Sequence, residues 1–262
     1  MKDFAGKTAL ITGGSTGIGF GMATVFATAG MNVAITDIRQ DALDRAEREL
    51  NQVSGNVLAL HADSTDPASL EAAGEVLSER FGPLHVLCNN AGVPGGGRVL
   101  ETPMNQWRER LEVNLWGVLN GINTFLPGML EHEEAGHIVN TASFSGIYGH
   151  GHQSAYGTSK FAVVGLSEFL SNDLAPTKLS VSVLCPHVVD TPVISALKQR
   201  VTQEVAQRIH EMAVPAETVG RQVLNAIRAE EFYVFCDGTH TREMLAQHCN
   251  DLMAAMDRQF PP

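Results

Sequence analysis

The chain has 262 residues, 44% of them hydrophobic and 18% charged, and a formal net charge of −11. This composition excludes a disordered, collagen-like or coiled-coil chain and leaves a globular protein long enough to bury a sizeable core without staples. The acidic balance repels phosphate backbones and argues against nucleic acid as a partner.

No apolar run approaches the ~18 residues a membrane span needs, and the opening Met1 to Lys7 has no signal-peptide core. A cytoplasmic protein with no membrane partner is expected. Cys88, Cys185, Cys236 and Cys249 are far apart and lack zinc spacing. They read as reduced thiols, three of them in or beside apolar runs.

Strand-length apolar runs alternate with longer segments of helical period. The first strand is expected at Thr8–Ile11, followed by a helix from Gly17 to Ala29. A strand at Asn32–Thr36 leads into a helix at Asp41–Val53. A strand at Val57–Leu60 leads into a helix at Pro67–Phe81, with Pro in its first turn. Leu84–Cys88 is the fourth strand. A long helical stretch from Met104 to Leu130 is expected to break near Pro127. A strand at His137–Thr141, a helix at Ser154–Leu174, and strands at Ser180–Leu184 and Phe232–Phe235 complete the pattern. This alternation predicts one doubly wound, Rossmann-type α/β domain over 1–262, with a parallel sheet of about seven strands and helices on both faces. Ligands of such sheets bind at the carboxyl ends of the strands.

Thr12-Gly13-Gly14-Ser15-Thr16-Gly17-Ile18-Gly19 follows the first strand and opens a helix. Gly13 permits a tight turn. Gly17 and Gly19 allow close approach of a pyrophosphate and of helix to sheet, and the helix N-terminus offers free N–H groups to phosphates. The same glycines would also serve a plain strand-to-helix turn. Asp37 ends the second strand, where a carboxylate can accept both ribose hydroxyls of an adenosine and repel a 2′-phosphate. That favours NAD over NADP, although Arg39 could neutralise such a phosphate. Asp63, after the third strand, either reaches the adenine or is a turn residue.

Tyr156 and Lys160 stand four apart, so they share a helix face. A cation beside a phenol lowers the phenol's pKa and makes it a usable acid/base. Ser143 follows the fifth strand and can hold a substrate oxygen. Asn114 lies inside a helical stretch, where Asn is a poor helix former, and could hold a water beside Lys160.

Taken together, the glycine turn, Asn89-Asn90-Ala91-Gly92, Asn114, Ser143 and Tyr156-Gly157-Thr158-Ser159-Lys160 resemble the short-chain dehydrogenase/reductase family, in the family's order, from about Lys7 to Thr191. The resemblance implies Tyr156 as general acid/base, Lys160 as its pKa modulator and ribose ligand, Ser143 as the orienting group for the substrate oxygen, and Asn114 in a proton relay. It implies cofactor contacts from Gly13, Ser15, Thr16, Gly17, Ile18 and Gly19, from Asp37 and Ile38, from Asp63 and Ser64, and from Asn90, Ala91 and Gly92. Pro186, Val189 and Thr191 complete that set. His187 stands where the family has glycine, which puts the local backbone in doubt.

A substrate lid is expected over about 188–214, and Phe144, Ile147, Tyr148 and Val188 as an apolar pocket. The expected activity is NAD(P)-dependent interconversion of a hydrophobic secondary alcohol and its ketone, with NAD preferred. The competing readings are a non-catalytic dinucleotide sensor or scaffold, and other chemistry on the same frame. His150-Gly151-His152 lacks a third ligand, so no metal is expected. Met244, Met253 and Met256 read as helix packing or a subunit contact, and the family resemblance implies a homo-oligomer, dimer or tetramer.

Overall fold

The computed structural model describes residues 1–261. The first half of the chain runs β1 (Thr8–Thr12), α1 (Gly17–Thr28), β2 (Asn32–Asp37), α2 (Gln40–Leu50), β3 (Val57–His61), α3 (Pro67–Phe81), β4 (Val86–Asn89), α4 (Met104–Leu111), a π turn (Glu112–Trp116) and α5 (Gly117–Glu131). The second half runs β5 (Gly136–Thr141), a 3-10 turn (Phe144–Gly146), α6 (Ser154–Leu174), β6 (Leu179–Cys185), β7 (Val189–Asp190), α7 (Pro192–Lys198), α8 (Gln203–Met212), β8 (Val214–Pro215), α9 (Ala216–Ala229), β9 (Tyr233–Phe235) and α10 (Arg242–Gln259).

Seven strands pair in the order β3-β2-β1-β4-β5-β6-β9, every pair parallel. The order reverses between β1 and β4, so the crevice of a doubly wound sheet opens above those two strands. Strand side chains alternate between faces. Ala9, Ile11, Val33 and Ile35 therefore enter one core with Met22 and Phe26 of α1 and Val223 and Ile227 of α9. Leu10, Ala34, Leu87 and Ile138 enter the other core with Leu70 of α3, Phe125 of α5 and Val163 of α6. Both faces are covered, which is why the strands read as continuous apolar runs rather than as alternating ones.

Helices α1 and α9 pack closely because glycines meet at their crossing. A Cβ on Gly21 would lie 2.4 Å from the Ala216 carbonyl oxygen, and one on Gly220 would lie 2.5 Å from the Gly21 oxygen. The long helix after β4 is not broken at Pro127, which lies inside α5. The irregularity falls instead at the π turn, centred on Asn114. A proline removes one ladder donor, whereas a π turn inserts an extra residue and redirects the side chains around it, a feature found at functional sites.

The expected lid contains two helices, α7 and α8. Its ends are joined by a two-residue parallel pairing, Val189 with Val214 and Asp190 with Pro215. The C-terminal α10 buries none of its residues, and Met253 and Met256 are exposed rather than packed within the chain. Among the described residues, no helix is long and apolar enough to cross a membrane.

Gly21→Ala should destabilise the chain by about 1–3 kcal/mol, because the new methyl meets backbone that has no rotamer to give. Urea unfolding would show this as a lowered midpoint at unchanged slope.

Candidate active site

The carboxyl ends of six strands, β1 through β6, border one cleft of ≈ 700 Å³. Its wall contains Gly13, Thr16, Gly17 and Ile18 after β1, Asp37 and Ile38 after β2, and Asp63 and Ser64 after β3. Asn90, Ala91 and Gly92 follow β4, Ser143 follows β5, Tyr156 and Lys160 come from α6, and Pro186, Val189 and Thr191 follow β6. The fold thus gathers distant segments into a single depression. Three of the expected residues, Ser15, Gly19 and Asn114, stand behind this wall.

The glycine turn is held to the β4 loop. Gly13 has φ +62°, and a Cβ there would lie 2.9 Å from the Ala91 Cα, so only glycine serves. Thr12 Oγ1 accepts from the Asn90 and Ala91 N–H groups at 2.9 and 3.0 Å. Asn90 Nδ2 donates to the Thr12 and Gly13 carbonyls at 3.0 and 3.2 Å. Thr12 is a site residue the sequence reading missed; a threonine closing the strand before the glycine turn was the available signal. Gly19 lies beneath the turn, where a Cβ would fall 2.4 Å from the Gly13 oxygen. It serves helix-to-turn packing.

Asp37 is buried and accepts from the Ser15 hydroxyl and from Arg39 through its backbone N–H, Nε and Nη2, each at 3.1 Å. Burial would raise its pKa, but these donors outweigh it and hold the carboxyl below the usual range. Arg39 also donates to Ser15 Oγ and Thr16 Oγ1 at 3.2 and 3.1 Å, so the guanidinium lies against the glycine turn. Asp63 lines the cleft while one oxygen accepts from the Thr65 N–H and hydroxyl, both at 2.8 Å. It is both a wall residue and a turn residue.

Helix α6 begins where Ser154 is tied to the β4 loop. Its N–H and hydroxyl both donate to the Gly97 carbonyl, at 3.1 and 2.8 Å. Two residues on, Tyr156 enters the cleft, and one turn later Lys160 is buried with Nζ donating to the Thr141 carbonyl at 2.8 Å. Burial depresses the Lys160 pKa to about 8. Burial also raises the Tyr156 pKa, and the neighbouring Ser143 hydroxyl opposes this only in part. The expected lowering by Lys160 is not seen here: its Nζ lies 5.8 Å from the tyrosine ring centroid and is directed to Thr141. Ser143 caps the 3-10 turn, and its hydroxyl lies 3.4 Å from the Pro186 carbonyl, between β5 and β6.

Asn114 is fully buried. Its Oδ1 accepts from the Val93 N–H at 2.8 Å, and its Nδ2 donates to the Val93 carbonyl at 3.1 Å and to Ser159 Oγ at 2.9 Å. It clamps the loop after β4 to α6, which uses both Nδ2 hydrogens and one of the two lone pairs of Oδ1. A second buried polar chain ties the same elements. Asn89 Nδ2 donates to Asn140 Oδ1 at 2.9 Å, and Asn140 Nδ2 donates to Ser167 Oγ at 3.0 Å.

The substrate side differs from expectation. Phe144 is buried behind the wall, stacked near Tyr148 at 6.2 Å and edge-on to His187 at 5.7 Å. Ile147, Tyr148 and Val188 likewise do not line the cleft. The apolar wall comes instead from Val93, Pro94, Val113, Val189, Val193 and Ile194, the last three from the lid. His187 lines the cleft without backbone strain: its φ is not positive, and its N–H meets Cys236 Sγ at 3.3 Å. Among the described residues no cluster of His, Cys, Asp or Glu could hold a metal.

A parallel sheet with a glycine turn, a Ser-Tyr-Lys group and a crevice at its switch point defines a doubly wound α/β protein with an enzyme-like cleft. Residues 7–202 match the short chain dehydrogenase family. The chain is 36% identical over 233 residues to a 1-deoxy-11-beta-hydroxypentalenate dehydrogenase of Streptomyces exfoliatus, covering 87% of this chain and 82% of that protein. It is 36% identical over 201 residues to a trans-4-hydroxycyclohexanecarboxylate dehydrogenase of Sinomonas cyclohexanicum, covering 74% and 77%. A crystal structure of a short chain dehydrogenase/reductase from Burkholderia phymatum in complex with NAD superposes with a TM-score of 0.87 at 30% identity, covering 97% of each chain. The chain belongs to the short-chain dehydrogenase/reductase family and is an oxidoreductase of that family.

Asn114→Leu should cost about 1–3 kcal/mol, since it leaves both polar groups of Val93 without a buried partner. Thermal unfolding checks the loss, and hydrogen exchange should show the loop after β4 losing protection before the sheet does.

Proposed function

We propose that the protein is an NAD-preferring dehydrogenase that interconverts a hydrophobic secondary alcohol and its ketone, with Tyr156 as general acid/base. The observation that carries the reading is that Ser143, Tyr156 and Lys160 share one cleft with the glycine turn and Asp37. The names of the relatives, dehydrogenases of hydroxylated alicyclic acids, support an alcohol as substrate.

The cleft fits a nicotinamide dinucleotide. The cradle at Gly13 and Gly17 and the N-terminus of α1 suit its phosphates, and Asp37 suits an adenosine ribose. Thr16, Ile18, Ile38, Ser64, Ala91, Gly92, Pro186, Val189 and Thr191 would line its path. When bound, it supplies or accepts the hydride.

The chain's own residues do the rest. Burial keeps the Tyr156 phenol protonated near neutral pH, the form that delivers a proton to a ketone oxygen. In the reverse direction the phenolate removes the alcohol proton. Lys160 Nζ, 5.8 Å from the ring and bound to Thr141, would stabilise that phenolate only by turning toward it. Ser143 donates to the substrate oxygen and fixes it beside the tyrosine. The apolar wall excludes water and selects a hydrophobic substrate. The four thiols are all free, which fits a reducing cytoplasm, and the exposed apolar side chains of α10 fit a homo-oligomeric contact.

Tyr156→Phe should lower turnover roughly 10²–10⁴-fold while NADH binding, followed by fluorescence, stays near the original affinity. Substantial residual turnover would remove Tyr156 from its role. Wild type should bind NADH more tightly than NADPH, because Asp37 already engages Arg39. Asp37→Ser frees that guanidinium and should move the NADH/NADPH affinity ratio at least about tenfold toward NADPH, a shift of about 1.4 kcal/mol.

A further inference from the structure

We propose that His187, facing Asp237, sets substrate specificity by accepting a hydrogen bond at Nε2 from a hydroxyl that the substrate carries close to its reacting carbonyl. The proposal rests on the oxidoreductase reading above and adds a substrate class to it, the hydroxy-ketones and their diols.

The position is fixed by the fold. His187 follows Pro186, whose carbonyl lies 3.4 Å from Ser143 Oγ and accepts the Phe144 N–H at 2.8 Å. His187 therefore directly follows the residue whose carbonyl meets the Ser143 hydroxyl. Its Nδ1 is buried and makes no hydrogen bond, with Asp237 Oδ2 3.5 Å away, while the side chain keeps a quarter of its surface exposed and lines the cleft. The remaining ring nitrogen, Nε2, is the one left for a ligand.

Asp237 is itself immobilised. It accepts from the Thr239 and His240 N–H groups at 2.8 and 3.2 Å and from His240 Nδ1 at 3.2 Å. These donors keep it ionised, and a carboxylate charge 3.5 Å from Nδ1 favours the tautomer with its proton on that nitrogen. Nε2 then carries a lone pair and accepts. Burial keeps the ring neutral, with Asp237 opposing this and His240 and His150 reinforcing it. The wall around it is apolar, so an unfilled acceptor there is costly and a hydroxyl in place is selective. Glu109 and Glu112 line the same cleft and disfavour a carboxylate as the recognised group.

The test compares aryl ketones that exchange a hydroxyl for a methyl: α-hydroxyacetophenone against propiophenone, and β-hydroxypropiophenone against butyrophenone. In wild type the hydroxy member of at least one pair should lead by at least about tenfold in kcat/KM. His187→Leu should erase that lead, mainly through KM, the hydroxy ketone losing at least about tenfold more than its methyl partner. His187→Gln, whose amide oxygen accepts, should restore part of it. Asp237→Asn keeps the backbone caps and should reduce the lead. A lead that survives His187→Leu, equal losses on both members of a pair, or a preference for 3-benzoylpropionate over every other ketone overturns the role of His187 alone. Wild-type protein that binds NADH and turns over no ketone or alcohol overturns the oxidoreductase reading, and this proposal with it.

Discussion

The constraint on which the site depends is a buried ammonium. Lys160 lies in the interior with its Nζ on the Thr141 carbonyl. Desolvation of a charge is expensive, and few places in a fold can offset it. The carboxyl end of a parallel sheet is one of them, because the strands finish on unpaired carbonyls. The lysine therefore sits in the second turn of a helix that crosses those ends, and α6 is laid down to meet that requirement. Ser154 anchors its first turn, Asn140 and Ser167 fix its middle, and Asn114 holds Ser159 beside the lysine. Tyr156 is positioned as a consequence.

The same logic governs the opposite end of the cleft. Asp37 is a second buried charge, offset by Arg39 and Ser15 rather than by carbonyls. Arg39 alone would attract a phosphate, and Asp37 alone would repel one. Bound to each other and to Thr16, they close the edge of the glycine turn as a neutral unit that still offers carboxylate oxygen. The two charged centres thus lie at the two ends of one depression, with the glycine turn and Asn90 between them. Neither centre would be tolerated if the intervening loops could move apart, and Thr12, shared by two N–H groups of the β4 loop, prevents that.

Sheet, helix order and the cleft-lining residues after each strand were legible in the sequence because each rests on a short-range signal. Apolar runs gave the strands, glycines the turn, and the four-residue spacing the Tyr156–Lys160 face. What escaped rests on long-range geometry. The π turn at Asn114 has no composition of its own, and Pro127 offered a stronger local cue for a break that the helix absorbs. Phe144 is adjacent in sequence to Ser143 yet faces the core, because the 3-10 turn rotates it away from the cleft. The pKa of Tyr156 likewise depends on the fold: spacing shows that Lys160 shares its face, but only the fold shows that Nζ is directed at Thr141. His187 departs from the family pattern, and the backbone there proves compatible with any side chain.

The pairing of β7 with β8 carries a consequence for how this fold diversifies. Val189 and Val214 bring the two ends of the lid together beside α9, so the entropy of closing that loop is met outside the loop itself. The helices between them contribute Val193 and Ile194 to the cleft but bury no residue of their own in the core. Such a segment is an exchangeable cassette: its length and sequence can change without altering the register of the sheet or the setting of Lys160. Selection acting on substrate choice therefore meets little resistance from selection acting on stability, and the two can proceed on separate stretches of one chain.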